Sequence, residues 1–279
     1  MSEANNSEQE SRKPTGFAAI LALPNDSTKK TIIMAILICL VCAVFVSVAA
    51  VALKPTQLAN KSLDKKKNIL AVAGLYEEGS DIEKAFEQIE VRLVDLTTGS
   101  YVEEGVDPVS YDQRKAAKDP KGNVKIPKDQ DIASIRTRAK YTPVYLVKDG
   151  EDIKMMILPM HGYGLWSTLY GFMALESDAN TIAGLGFYEH AETPGLGGEV
   201  DNPKWKGLWA GKQVYDDAGK VKINIVKESV TPQTPNHEFK VDALAGATLT
   251  SRGVANMLHY WLGENGYKKY LSKFMAERS

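Results

Sequence analysis

Apolar positions are unevenly distributed along this chain, and one continuous apolar run stands out near its N-terminus. The segment from Thr31 to Leu53 contains no charged residue and is rich in Ile, Val, Leu and Ala. As a helix it would be about 35 Å long, which is enough to cross the hydrocarbon core of a bilayer. We therefore predict a transmembrane helix over residues 31–53. The alternatives are a buried helix of a soluble protein, or a signal peptide cleaved near Ala50-Val51-Ala52.

The segment before this run, residues 1–30, is polar except for an apolar patch at Phe17–Leu23. Seven apolar residues are too few to span a bilayer, so the patch is expected to dock on a membrane surface or a partner, or to form a short helix. Lysine and arginine residues flank the apolar run on both sides. Their count does not place the N-terminus in the cytoplasm and slightly disfavours that orientation.

Residues 54–140 are predicted to form a linker and a helical subregion. Residues 56–68 have the composition of a juxtamembrane linker, and helices are expected over 68–77 and 81–96. In the second helix apolar residues recur at spacings of three and four, the pattern of an amphipathic helix; they are Ile82, Ala85, Phe86, Ile89 and Leu93. Residues 100–130 are rich in Asp, Lys, Pro and Gly and should be mostly loop with short helical pieces.

From Tyr141 onward the pattern becomes that of strands. Two apolar runs, 143–147 and 153–158, flank Asp149-Gly150, which is a hairpin-turn signal. Further strands are predicted at 168–175, 182–189 and 221–226, and helices at 252–262 and 267–276. The predicted fold class is α+β. One N-terminal transmembrane helix is followed by a mainly antiparallel sheet with peripheral helices, and the main domain covers residues 141–279.

Composition narrows the possible functions. The 279 residues are 44% hydrophobic and 25% charged, as in a globular protein, and the net charge of −1 argues against a nucleic-acid partner. Four His and two Cys are scattered, so we predict no metal site of the usual zinc spacing. Cys39 and Cys42 share a helix face within the apolar run. They are either packing residues or, in a functional alternative, ligands that would bind an intramembrane iron centre together with cysteines of a partner.

Three glycine-rich islands carry the candidate chemistry: 162–167, 192–199 and 245–251. The third lies between a strand-like and a helix-like run, where Thr250 or Ser251 could cap the helix and free amides suit an anion such as phosphate. An ordinary strand–turn–helix junction would look the same. Taken together, the islands suit a planar phosphorylated cofactor, although none matches a dinucleotide or P-loop pattern. Its apolar faces would come from Tyr163, Leu165, Trp166 and Leu196.

The sequence DALAGAT at Asp242–Thr248, followed by Leu-Thr-Ser, resembles the flavinylation motif of FMN-binding domains. These domains occur in sodium-pumping NADH:quinone reductases and in the related Rnf electron-transport complexes. The sequences ETPGLG at 192–197 and GYGLWS at 162–167 are similar to two further signatures of the family. Among these relatives the chain is most similar to the C subunits of the sodium pump. One departure is Ala245, which stands where the family usually has Ser or Thr.

The resemblance implies which residues bind the cofactor. In that family the threonine that closes the Gly-Ala-Thr triplet is esterified to the phosphate of FMN, so Thr248 is the expected acceptor of a covalent FMN. The other expected FMN-binding residues lie in the same three motifs: Leu249, Thr250, Ser251, Gly246, Gly164, Leu165, Trp166, Glu192, Thr193, Gly195, Leu196 and Gly197. No residue of the chain is expected to be catalytic.

The resemblance also implies a function. The chain would be the electron-relay subunit of a six-subunit, sodium-translocating NADH:quinone oxidoreductase. It would pass single electrons between an iron–sulfur centre and the flavin of the B subunit, with the B, D and E subunits as its main partners and a flavin transferase for maturation. The domain would be periplasmic, anchored in the bacterial inner membrane, with residues 1–30 cytoplasmic. Two alternatives remain: the G subunit of an Rnf complex, and a membrane-anchored scaffold domain without a cofactor.

Overall fold

The computed structural model describes residues 16, 19–20 and 22–278, and these fall into two compact units that are divided between Lys61 and Ser62. Most of the N-terminal segment predicted over residues 1–30 lies outside the described residues. The same holds for Phe17, Ala18 and Leu21 of the apolar patch.

The first helix, α1, runs over Thr28–Val72. Its N-terminal part contains the predicted apolar span, is long and apolar enough to cross a membrane, and is exposed in the structure. The helix continues through Pro55, so residues 56–68 are helical, and their assignment as a juxtamembrane linker stays a prediction. That segment contains four Lys and two Leu, which favour helix, and this outweighs the single backbone donor that Pro55 removes.

The centre of the second unit is a six-stranded antiparallel sheet, whose strands are β1 (Ile89–Asp95), β2 (Ser100–Tyr101), β5 (Tyr141–Asp149), β6 (Asp152–Tyr163), β7 (Thr168–Glu176) and β8 (Ile182–Glu189). Gly150, at the predicted hairpin turn between β5 and β6, has a positive φ. The order of the strands across the sheet is β2-β1-β5-β6-β7-β8. The predicted fold class is confirmed: an N-terminal apolar helix is followed along the chain by an antiparallel sheet domain with helices.

The helix predicted over residues 81–96 is wrong for its second half. A short helix, α2, covers Ile82–Phe86, and β1 follows at once. β1 pairs with β5 along its whole length, from Ile89 opposite Val147 to Asp95 opposite Tyr141. The boundary placed at residue 140 stays a prediction, although β1 joins the part before it to the sheet of the main domain.

Helices and loops cover both faces of the sheet. On one face the end of α1 contributes Ile69, Leu70 and Val72 to an apolar cluster with Tyr145 and Phe172. Three lysines at the same end of α1 lie over aromatic rings of this unit, at 5.0–5.6 Å from the ring centroids; the pairs are Lys65 with Tyr145, Lys66 with Phe86 and Lys67 with Tyr76. The first half of the helix predicted over residues 68–77 is thus the end of α1, and the prediction is wrong for residues 73–77, which follow the end of the helix.

The other face of the sheet packs against two C-terminal helices, α5 (Thr248–Leu262) and α6 (Lys268–Ala276). Trp261 of α5 is fully buried and donates its indole N–H to the carbonyl of His161 on β6. The remaining elements are α3 (Gln113–Ala116), β3 (Asn123–Lys125), β4 (Thr137–Ala139), two 3₁₀ turns (Gly197–Asp201 and His237–Phe239), α4 (Pro203–Gly207), β9 (Asn224–Val226) and β10 (Lys240–Asp242). The strand predicted over 221–226 is thus limited to its second half.

Candidate functional site

The turn between β10 and α5 brings the DALAGAT segment to the surface. Gly246 has φ +70°, a conformation that glycine adopts without strain, and a side-chain Cδ of Leu196 lies 3.1 Å from where a Cβ of Gly246 would be. The start of the turn is fixed because the indole N–H of Trp205 donates to the carbonyl of Asp242 at 2.9 Å. The second glycine-rich island therefore lies directly against the third.

Three hydroxyls at the start of α5 have different environments. Thr248 is exposed at the first position of the helix. Thr250 is fully buried and donates to Oε2 of Glu192 at 2.7 Å. Ser251 is 3% exposed, and its hydroxyl accepts the backbone N–H of Leu244 at 3.0 Å.

The prediction that Thr250 or Ser251 caps this helix is therefore wrong. The capping position is Ala247, whose side chain makes no capping hydrogen bond. Because the first amides of a helix have no intrahelical acceptor, the amides beside Thr248 remain available to an anion.

Glu192, from the second island, joins the other two islands. Its Oε1 accepts the backbone N–H groups of Trp166 at 2.9 Å and Ser167 at 3.1 Å, and the N–H of Leu165 lies 3.2 Å from both carboxylate oxygens. With Thr250, one carboxylate thus binds the loop of residues 164–167 and the first turn of α5. The structure brings the three predicted islands together, and Glu192 is the residue at which they meet.

The pKa of the Glu192 carboxyl reflects two opposing effects. The residue is only 5% exposed, and burial by itself would raise the pKa. The hydrogen bonds from Thr250 and from the backbone amides of Trp166, Ser167 and Leu165 outweigh burial and lower the pKa below its usual value of 4.5. The group is therefore a carboxylate at neutral pH, as its set of donors requires.

Glycines allow the close packing around this carboxylate. A Cβ on Gly164 would lie 2.7 Å from Oε1 of Glu192, and one on Gly197 would lie 2.5 Å from the Thr250 hydroxyl. A Cβ on Gly253 of α5 would lie 2.5 Å from the carbonyl oxygen of Tyr163. Real Cβ contacts are longer than these distances, so another residue would displace the side chains of Glu192 and Thr250 at the first two positions, and the backbone at Gly253.

Around this network the site presents apolar side chains to solvent. Trp166 is 66% exposed and Leu249 is 51% exposed, and three further large side chains are exposed on the same islands. These three are Tyr163, Leu165 and Leu196. Exposed apolar surface concentrated in this way commonly marks a binding site. Thr193 and Gly195 lie in the turn before Leu196, where Gly195 has φ +75° and the Thr193 carbonyl accepts the N–H of Leu196 at 3.1 Å.

Sequence reasoning missed three residues that support the site. Gly253 is a glycine in the middle of a helix, which is itself a signal of a close approach. Trp205 is a large aromatic residue of the kind that packs in a core, but its indole N–H also anchors the turn before α5. His190 bonds to Asp201 at 2.8 Å, and its Nδ1 accepts the N–H of Glu192 at 3.2 Å. The contacts of Trp205 and His190 depend on tertiary structure and leave no local signal.

Among residues 16, 19–20 and 22–278, no group of three or more His, Cys, Asp or Glu side chains is placed to hold a metal ion. Cys39 and Cys42 are both exposed on α1.

Comparison with known proteins agrees with this geometry. Residues 164–263 match the FMN-binding domain family, a range that begins at Gly164 and includes Glu192 and Thr248. The C subunit of the Na(+)-translocating NADH-quinone reductase of Pseudomonas aeruginosa is 53% identical over 251 residues, which cover 88% of this chain and 96% of that protein. The chain belongs to the family of C subunits of Na(+)-translocating NADH-quinone reductases. The C subunit of Neisseria meningitidis serogroup A is 49% identical over 90% of this chain and 96% of that protein.

Solved structures of relatives from this family share the fold. Shewanella oneidensis NqrC aligns with a TM-score of 0.72 and 35% identity, covering 78% of this chain and 99% of that one. The C subunit of the Na(+)-translocating NADH-quinone reductase from Parabacteroides distasonis aligns with a TM-score of 0.61 and 31% identity, covering 79% of this chain and 97% of that one. The chain is thus a flavoprotein subunit with an FMN-binding domain, and it belongs to an oxidoreductase complex.

Proposed function

We propose that this chain carries FMN covalently, as a phosphoester on the hydroxyl of Thr248. The observation that carries the proposal is the difference between the three hydroxyls of the motif. Thr248 is exposed, whereas Thr250 and Ser251 are buried and already hydrogen-bonded. An enzyme that attaches a flavin can reach Thr248 without unfolding the helix.

The attachment needs an activated flavin donor, for which we propose a flavin dinucleotide held by a flavin transferase. The Oγ of Thr248 attacks the phosphorus that bears the riboflavin. The new Oγ–P bond forms as the P–O bond of the pyrophosphate breaks, and the hydroxyl proton leaves to a base of the transferase. The other half of the donor departs as a nucleoside monophosphate, so atoms and charges balance and no electron is transferred.

The residues around Thr248 fit such a group. The phosphodiester keeps one negative charge, and a helix N-terminus stabilises such a charge by about 0.3–1 kcal/mol. Arg252 is exposed one helical turn after Thr248 and is a candidate to pair with the phosphate. The ring would lie on Leu165, Trp166, Leu196 and Leu249, whose exposure fits a flat apolar ligand.

Bound FMN accepts and donates electrons one at a time. The contribution of this chain is to hold the flavin permanently and to leave its edge accessible to partners. A covalent tether removes the loss of translational and rotational freedom that reversible binding would cost, roughly 4–15 kcal/mol. We propose that the partners are an iron–sulfur centre held by the D and E subunits and the flavin of the B subunit. The NADH, quinone and sodium sites would lie elsewhere in the complex, so this chain would be an electron-relay subunit.

We also propose that α1 anchors the chain in the bacterial inner membrane, with the N-terminus in the cytoplasm and the FMN-binding domain in the periplasm. The lysine count slightly disfavours this orientation. However, the count loses force for a long translocated domain, and 226 residues follow Leu53, the last residue of the apolar run.

The experiment that tests the proposal is in-gel flavin fluorescence of the denatured full chain, produced in cells that contain the flavin transferase. A fluorescent band and an added FMN mass on the peptide with Thr248 are expected. A chain without either would be a cofactor-free scaffold. Membership of the C-subunit family favours the sodium pump over the Rnf alternative, and the subunits that co-purify with the chain would separate the two complexes.

A further inference from the structure

The carboxylate of Glu192 is surrounded by donors from the protein itself. Its Oε1 accepts the amides of Trp166 and Ser167 and lies 3.4 Å from the Ser167 hydroxyl, and its Oε2 accepts the Thr250 hydroxyl at 2.7 Å. The backbone N–H of Leu165 is shared between both oxygens at 3.2 Å. With an exposure of 5%, the side chain presents almost no surface to a ligand.

We propose that Glu192 is a positioning residue for the flavin rather than a ligand of it, and that its fixed negative charge lowers the reduction potential of the flavin. This inference rests on the proposed function, because it assumes that FMN is attached to Thr248.

The positioning role follows from the arrangement of the donors. Three consecutive amides, from Leu165 to Ser167, converge on one carboxylate, so the backbone of this loop is held in one conformation. The exposed side chains of Leu165 and Trp166, which would form the surface under the ring, are oriented by that backbone. Because Thr250 is two residues from Thr248 on α5, the same carboxylate also ties the loop to the helix that would carry the phosphate.

A carboxylate is the one side-chain group that suits this set of donors. An ionised carboxylate only accepts hydrogen bonds, whereas an amide offers one acceptor oxygen and two N–H donors. Gln at position 192 would turn N–H groups toward backbone amides that also donate. Asp would keep the charge, but its side chain is one carbon shorter and would not reach the loop and Thr250 together.

The electrostatic role follows from burial. A charge that is screened little by water acts strongly over short distances. Reduction adds negative charge to the flavin, and a nearby fixed carboxylate disfavours that addition. Removing the charge should therefore move the reduction potential of the flavin to more positive values.

The chain offers a matched control in Glu199, which lies in the 3₁₀ turn seven residues after Glu192. Its Oε2 accepts the side-chain N–H of Asn202 at 2.7 Å, so its carboxylate binds within its own turn and the loop at 164–167 binds Glu192 instead. Glu199→Gln removes one carboxylate charge from the same segment of chain without touching the donors that Glu192 accepts.

The test is a spectroelectrochemical titration of the full-length, detergent-purified chain with its covalent flavin. The flavin content of Glu192→Gln is expected to fall several-fold, because the loop is no longer held. In the fraction that carries flavin on Thr248, the reduction potential should shift to more positive values and the absorption spectrum should change. Glu199→Gln should leave the potential and the spectrum at their wild-type values. A potential in Glu192→Gln equal to that of the wild type, or an equal shift in both variants, would overturn the proposal.

A second variant keeps the proposal testable if Glu192→Gln does not yield folded flavoprotein. Glu192→Asp retains the charge, and we expect its potential to stay close to the wild-type value, while its flavin content falls several-fold because the loop is no longer held. Wild-type flavin content and spectrum in Glu192→Asp would overturn the positioning role. A wild-type chain without covalent flavin would instead refute the proposed function, so the two failures are distinguishable.

Discussion

The hydroxyl of Thr250 donates to the carboxylate of Glu192 over 2.7 Å, although the two residues are 58 positions apart in sequence. This bond joins the first turn of α5 to the loop of residues 164–167, whose amides bind the same carboxylate. It also separates two neighbouring threonines by function. Thr250 is committed to the interior, and Thr248 is left exposed at the start of the helix.

The first prediction concerns the acceptor. Thr248→Ala should abolish the fluorescent band and the added FMN mass, because it removes the proposed Oγ nucleophile. The exposed side chain contributes less than about 1 kcal/mol to stability, so the variant should still fold. In-gel fluorescence and mass spectrometry of the Thr248 peptide measure the outcome. Thr248→Ser, which retains a hydroxyl, is the matched control and should keep some flavin, and a fluorescent Thr248→Ala band would mean that another residue is the acceptor.

The second prediction concerns Thr250. Thr250→Val keeps the shape of the side chain but leaves Glu192 without one of its donors. Hydrogen bonds to charged groups contribute about 1.5–3 kcal/mol, and we expect a loss of that size in the free energy of unfolding. Denaturant unfolding followed by tryptophan fluorescence would measure it. The flavin should still be found on Thr248, and its displacement or complete loss in a well-folded Thr250→Val would contradict the assignment of roles.

Local sequence patterns are sufficient to predict most strands of the main sheet. The hairpin around Gly150 has apolar strands and a turn residue with the required positive φ, so β5 and β6 follow from neighbouring residues. β1 is different, because its apolar residues also fit a helical spacing. The partner of β1 is β5, about fifty residues further along the chain, and no local pattern records that pairing.

The candidate site shows the same limit. The small residues before α5 and the run of hydroxyls after them are sufficient to predict a turn and a helix start. They are not sufficient to assign the hydroxyls. Thr250 and Ser251 are predicted as caps because such residues favour helix starts, but a buried carboxylate and a backbone amide of the turn bind them instead. The hydrogen-bond partners of the two hydroxyls are set by tertiary contacts, which the local sequence does not record.

The third prediction compares two helical glycines. Gly253→Ala would place a Cβ 2.5 Å from the Tyr163 carbonyl, so α5 and the loop after β6 must move apart. Overpacking of this kind typically costs about 1–3 kcal/mol, and the flavin content should fall as well. Gly207→Ala is the control, because its added Cβ would have no atom within 4 Å apart from its chain neighbours and the backbone of its own helix. It should be neutral or stabilising by about 0.5–1 kcal/mol, and a cost equal to that of Gly253→Ala would contradict the close-packing argument.

The fourth prediction concerns His161, whose ring stacks on Tyr170 at 5.5 Å and lies 5.1 Å from the ring of Trp261. Burial, and secondarily the positive charge of Arg114, lower the pKa of His161 from 6.5 to about 4. Because the folded state binds this proton less readily than the unfolded state, the stabilising contribution is complete above pH 6.5 and is lost as the pH falls toward 4. A depression from 6.5 to about 4 corresponds to a loss of about 3 kcal/mol over that range.

Replacing His161 isolates this contribution from that of the carboxylates, which also titrate in acid. Between pH 7 and pH 4 the free energy of unfolding of the wild type should fall more steeply than that of His161→Gln, whose side chain stays neutral throughout. Denaturant unfolding at a series of pH values measures both slopes. Equal slopes for wild type and His161→Gln would mean that His161 is as easily protonated in the folded state as in the unfolded chain, which is incompatible with its place between the rings of Tyr170 and Trp261.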